Sequence, residues 1–170
     1  ESYVNPYVPI PQFVQRLTGI NPADLENAPP FAVVAGEIER FVGSLPLVGH
    51  NVSFDLGFLS KHGLPLANPT YDTLELAKVL LPGGAQYSLP LLAKHLGISH
   101  DRPHRALDDA GIARRVFLAL LERIEELDPG VVEYIGALSA RARWGLRDLF
   151  TVSNGAASAV GLGGLDAPAL

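Results

Sequence analysis

Leu45-Pro46-Leu47-Val48-Gly49-His50-Asn51-Val52-Ser53-Phe54-Asp55 is the stretch whose reading decides the fold. Residues 45–48 make a short apolar run that stops at Gly-His-Asn, the pattern of a buried strand. Ser53 then suits a helix cap, with Phe54, Leu56, Phe58 and Leu59 inside the helix and Gly63 and Pro65 ending it. A strand that hands over to a helix with a carboxylate in its first turn is the unit of an open α/β sheet. Ligand sites in such sheets gather beyond the strand ends.

The same grammar extends in both directions. Residues 1–30 are proline-rich and predict a strand end followed by an irregular segment with short helical turns. Phe31, Val34, Ile38, Phe41 and Val42 recur at helical spacing after Pro29-Pro30, a good helix start. Residues 70–73 read as a short strand leading into a helix that Pro82-Gly83-Gly84 ends. Ser88 opens another helix, stopped by Gly97. Residues 105–127 are expected to form the longest helix. Residues 130–150 continue a helical pattern with a basic stripe of Arg141, Arg143 and Arg147. Residues 151–170 are rich in Gly and Ala, without periodicity, and read as a flexible tail or linker.

The chain has 170 residues, 48% of them hydrophobic, enough for one domain with a core. It contains no Cys, which excludes disulfides, thiolate metal sites and cysteine nucleophiles. It contains no Met, so Glu1 is expected to be the start of a processed product or internal fragment. No signal peptide or bilayer-spanning stretch is visible, and a soluble cytoplasmic protein is expected. The net charge of −5 argues against broad electrostatic binding of nucleic acid. It leaves open a site where divalent cations face phosphate, because a bound cation reverses the local charge.

Asp109 is the carboxylate best argued from periodicity. At about 100° per residue, Ile112, Ala113, Val116, Phe117 and Leu120 fall on its face, while Asp108 falls with Gly111, Arg115 and Glu122. Asp109 is therefore expected to face the core and Asp108 water. A carboxylate on an apolar face must be neutral, hydrogen-bonded, paired or bound to metal, whereas Asp108 suits the helix macrodipole. His104, after Pro103, is expected just ahead of the helix, either as a solvated or structural residue or hanging over the same pocket. Asp55 reads as a helix-start carboxylate or as a site residue beyond a strand end. Asp72 reads first as an N-cap, in a capping-box-like pattern with Glu75, and second as a residue that supports the site from behind.

At these residues the chain resembles the DEDDh, or DnaQ-like, 3′–5′ exonucleases of ribonuclease H-like fold. His50-Asn51-x-x-Phe54-Asp55 matches the family's second motif and His104-x-x-x-x-Asp109 its third. Asn5-Pro6, Leu17-Thr18-Gly19-Ile20, Ala28-Pro29, Asp72-Thr73-Leu74 and Tyr87-Ser88-Leu89 match in order, so that the likeness runs from about residue 1 to 125. The resemblance implies an α/β fold, a mixed sheet flanked by helices. The family's first motif, Asp-x-Glu on a central strand, has no counterpart here. The strand ending at Asn5 is then expected to be the third. The chain is expected to lack its N-terminal strands, leaving an exposed edge at residues 45–48. Residues 1–127 would be the exonuclease domain, 128–150 a helical extension and 151–170 the tail. The extension also resembles the exonuclease module at the front of DinG-type helicases, which would make a fused helicase or an associated polymerase the partner.

The chemistry implied by this resemblance is hydrolysis of phosphodiesters from the 3′ end of DNA or RNA with two Mg²⁺ or Mn²⁺ ions. Asp55 and Asp109 would be metal ligands, joined by the absent Asp-x-Glu, and His104 the general base. Leu17 would touch the 3′-terminal base, with Thr18 beside it, and Asn51 would support substrate or metal. Leu17 and Asn51 also have ordinary readings, as a core leucine and a turn asparagine. The alternative is a non-catalytic ribonuclease H-like module that binds nucleic acid or a partner.

Overall fold

The apolar run after residue 45 and the segment after residue 69 become two three-residue strands, β1 (Leu47–Gly49) and β2 (Thr70–Asp72). They pair in parallel, with Leu47 opposite Thr70, Val48 opposite Tyr71 and Gly49 opposite Asp72. Parallel neighbours need a crossover, supplied here by helix α4 (Val52–Lys61). Because the two strands end in register, α4 and helix α5 (Thr73–Leu80) both start at the same edge of the sheet. The computed structural model describes residues 2–84, 86–99, 105–142 and 144–151.

Ahead of β1 lie α1 (Gln12–Thr18), α2 (Pro22–Leu25) and α3 (Phe31–Val42). After α5 come α6 (Leu89–His95), α7 (Ala106–Glu125), α8 (Pro129–Ala142) and a 3₁₀ turn, Arg147–Phe150. This α/β arrangement, helices around a small sheet that is parallel among the described residues, is consistent with the expected ribonuclease H-like fold. The helices expected from periodicity are present at close to the expected bounds. The strand expected to end at Asn5 is reduced, among the described residues, to one parallel bridge between Asn5 and Pro30. The Asn5 backbone N–H donates to Pro29 O at 2.9 Å.

The core is built around α7. Ile112, Ala113, Val116, Phe117, Leu120, Leu121 and Ile124 are buried against α5, α6 and β1, the stripe that the 3.6-residue period requires. Tyr71 of β2 stacks on Phe117, ring centroids 5.6 Å apart. Leu76 and Ala77 of α5 and Leu92 and Ala93 of α6 close the same cluster, joined by Leu146, Leu149 and Phe150 from the C-terminal turn. That turn packs against α8 at Gly136, where an added Cβ would stand 2.7 Å from Phe150 O. Trp144 stacks on Phe150 and donates its indole N–H to Glu75 Oε2 at 3.0 Å, tying the segment to α5. The opposite side is more open: Val33, Phe41, Phe54 and Phe58 are exposed. Among the described residues β1 pairs only with β2.

Candidate active site

One carboxylate organises the edge where the strands end. Asp72 is buried and caps α5, accepting the Leu74 N–H at 2.9 Å. The same carboxylate reaches across the sheet to the start of α4. Its Oδ1 accepts the Asn51 N–H at 2.9 Å and its Oδ2 the Val52 N–H at 3.0 Å. The first amides of a helix have no partner within it, so a single side chain answers for two helix starts. The expected capping box is not what forms, because Glu75 is committed to Trp144. Ser53 is not the cap of α4 either. That position belongs to Asn51, left-handed at φ 61°, ψ 44° and without a side-chain capping bond. Asn accepts this conformation better than most residues, and Asp72 supplies the acceptor that the cap itself does not.

His50 and Thr73 reinforce the corner. Thr73, fully buried, donates its hydroxyl proton to Gly49 O at 3.2 Å, which leaves its oxygen to accept from His50 Nδ1 at 2.9 Å. Burial lowers the His50 pKa, against opposing pulls from the Asp72 charge and a backbone hydrogen bond at Tyr87.

Asp55 projects from the first turn of α4. By surface area the residue is exposed, yet its carboxyl is partly desolvated. Desolvation raises its pKa, and the Asp72 charge adds to the rise against the pull of its own backbone N–H. A carboxylate held in this way near a second one is a natural seat for a cation.

Asp108 and Asp109 open α7, and the Asp109 N–H donates to Arg105 O at 2.8 Å. The apolar companions assigned to the Asp109 face are all buried, but the two aspartates themselves are both half-buried. The expectation that Asp108 faces water is therefore corrected. In the first turn the helix stands beyond its packed stretch, and the face rule loses force there.

The 17–20 segment meets the start of α7. Gly19 ends α1 in the left-handed region, φ 70°, and an added Cβ would stand 2.8 Å from the Arg105 guanidinium carbon. Leu17 is 52% exposed, so it is not the core leucine of its ordinary reading. Thr18 is half-buried and turns inward, donating to Val14 O at 2.9 Å and accepting the Ile20 N–H at 3.2 Å. Asn51 is exposed, next to the Asp72 clamp. His104 lies outside the described residues, as do Arg143 and residues 152–170. Among the described residues no three His, Asp or Glu side chains converge as a ready metal site.

Sequence reasoning missed two relationships: the second grip of Asp72 on α4, and the seat of Arg105 on Gly19. Both are long-range. The only local signal for the first was an Asn or Asp at each of the two strand-to-helix junctions, Asn51 and Asp72.

Comparison with known proteins gives the family. An exonuclease family profile, RNase_T, matches residues 1–117. The chain is 38% identical over 143 residues to the 3′-5′ exonuclease DinG of Bacillus subtilis (strain 168), covering 81% of this chain and 15% of that protein. It is 37% identical over 129 residues to the DNA polymerase III PolC-type of Clostridium perfringens (strain 13 / Type A), covering 74% and 9%. It is 37% identical over 120 residues to the DNA polymerase III subunit epsilon of Aquifex aeolicus (strain VF5), covering 68% and 59%. The chain thus spans a small part of the first two and somewhat over half of the third. On this match, and on a fold that agrees with it, the chain belongs to the DnaQ-like family of 3′–5′ exonucleases.

Proposed function

We propose that the chain forms the catalytic part of a DEDDh-type exonuclease that hydrolyses phosphodiester bonds from the 3′ end of DNA or RNA in replication or repair. Asp55 carries the reading: a strand-end carboxylate whose pKa is raised by desolvation beside Asp72, in a chain of the exonuclease family. Its donor chemistry fits Mg²⁺ or Mn²⁺. Carboxylate oxygens are hard ligands, and the sequence holds no Cys to favour a softer metal.

Asp55 and Asp109 would hold the two ions. When bound, such ions neutralise charge at the phosphate and lower the pKa of a bound water. His104 takes the proton of the attacking water, a task suited to an imidazole near neutral pH. Leu17 offers an exposed apolar side chain to the 3′-terminal base, Thr18 holds the turn behind it, and Asn51 supports the substrate beside the strand end. Residues 1–127 would be the domain for this reaction, 128–150 its helical extension and 151–170 a tail or linker. The nucleic-acid partner is single-stranded or 3′-ended. The protein partner is a fused helicase or an associated polymerase; relatives that are parts of DNA polymerase III support the polymerase. No helix among the described residues is long and apolar enough to cross a membrane, and a cytoplasmic site of action fits that.

A second reading, a non-catalytic module that binds nucleic acid or a partner, is favoured by one observation: no three potential ligands converge among the described residues. A 3′-labelled and a 5′-labelled oligonucleotide, each incubated with the full gene product and Mg²⁺, separate the two. Nuclease function predicts mononucleotide release from the 3′ label first. Binding without release of either label selects the second reading. His104→Ala is expected to lose turnover by about a hundredfold or more with Mn²⁺ binding retained. Should its pH–rate profile keep the wild-type basic limb, the general-base role is wrong.

A further inference from the structure

We propose that Asp72 is a positioning residue for Asp55, fixing the first turn of α4 so that the Asp55 carboxylate is held ready for a divalent cation. The inference rests on the proposed metal role of Asp55 and gives a definite geometry to the supporting role that the sequence left open for Asp72.

The geometry is specific. Gly49 and Asp72 are register partners at the ends of β1 and β2, so the starts of α4 and α5 stand side by side. The Asp72 side chain, only 8% exposed, spans them with three amide hydrogen bonds of 2.9–3.0 Å: Asn51 and Val52 on one side, Leu74 on the other. Asn51 is left-handed and gives α4 no side-chain cap. Nothing local therefore fixes the direction in which α4 leaves the strand, and Asp72 does so from another element. Asp55 sits one turn further along and inherits that direction. A metal ligand must be held to within a fraction of an ångström, by residues that are themselves fixed. Two further contacts brace the clamp from below, Thr73 to Gly49 O and His50 to Thr73. Asp72 acts through the helix start, since three N–H donors take up most of the acceptor capacity of its oxygens.

An amide in place of the carboxylate separates these roles from folding. Asp72→Asn keeps one acceptor oxygen of the same shape, loses the second, and removes the charge. Mn²⁺ titration followed by electron paramagnetic resonance is run on the wild type, Asp55→Asn and Asp72→Asn, with circular dichroism on each. The expected result is Mn²⁺ binding that Asp55→Asn abolishes and Asp72→Asn weakens about tenfold or more with the fold retained. Unchanged affinity in a folded Asp72→Asn overturns the positioning role while leaving Asp55 as a ligand. Wild-type binding that Asp55→Asn does not affect instead overturns the metal reading itself. If Asp72→Asn does not fold, amide exchange on the wild type decides. Protected Asn51 and Val52 amides that slow further on Mn²⁺ saturation support the clamp. Amides that exchange freely, or that ignore the metal, refute it.

Discussion

Partial desolvation first, and then the charge of Asp72, hold the Asp55 carboxyl above its ordinary value of 3.8. Between that value and its raised value the folded state binds more protons than the unfolded state, so this group's contribution to stability falls as pH rises through the window. At neutral pH the ionised carboxylate opposes folding. Asp55→Asn is therefore expected to raise the melting temperature of the metal-free protein at pH 7, with the gain shrinking below the window, while removing nuclease activity. Thermal denaturation followed by circular dichroism checks this, and a melting temperature below that of the wild type contradicts it. His50 has the opposite sign of shift. Burial depresses its pKa below 6.5, so its neutral form is the folded one. Stability is then fully present above about pH 6.5 and falls as pH drops through the folded value. Chemical denaturation from about pH 7.5 down to about pH 5 should show that loss, and His50→Gln should flatten it.

Helix packing makes two glycines give opposite answers to the same substitution. In an open helix Ala is better than Gly by about 0.5–1 kcal/mol. Gly111 of α7 is exposed, with nothing within 4 Å of an added Cβ, and Gly111→Ala is expected to stabilise by about that much. At Gly136 of α8 the added Cβ would stand 2.7 Å from the Phe150 carbonyl oxygen, a backbone atom that cannot swing away. Gly136→Ala is expected to cost about 1–3 kcal/mol in urea unfolding. Equal effects of the two substitutions would contradict the packing of α8 on the C-terminal turn. Elements of this kind were legible in the sequence where one face carries the signal, as in α7 with Ile112, Val116, Phe117 and Leu120. They were not legible where the decisive partner is distant. Ser53 has the right chemistry to cap α4, yet the helix starts at Val52, capped by Asn51, because Asp72 reaches the Asn51 and Val52 amides from β2. Glu75 has the right spacing for a capping box and instead meets Trp144, 69 residues away.

Across the whole molecule, the segment after α8 is part of the core. Leu146, Leu149 and Phe150 are 1–2% exposed and join the cluster that α5, α6 and α7 build. Leu149→Ala is expected to cost about 2–5 kcal/mol, whereas Tyr134→Ala, at an exposed site on α8, should stay within about 0.5 kcal/mol. The sequence pattern marked residues 130–150 as helical but carried no sign of this burial, because periodicity says which face is apolar and not what it meets. The ordered motifs, by contrast, were enough to indicate the family and the fold, and they singled out Asp55, Asp109 and His104 for chemistry. The central claim is that Asp55 and Asp109 act together as metal-holding carboxylates of a 3′–5′ exonuclease. The most direct test is Mg²⁺-dependent release of nucleoside monophosphate from a 3′-labelled strand by the full gene product and its Asp55→Asn and Asp109→Asn variants. Each variant is expected to lose at least about a thousandfold in turnover while keeping the circular dichroism spectrum of the folded wild type. Unchanged turnover in either folded variant would contradict the account.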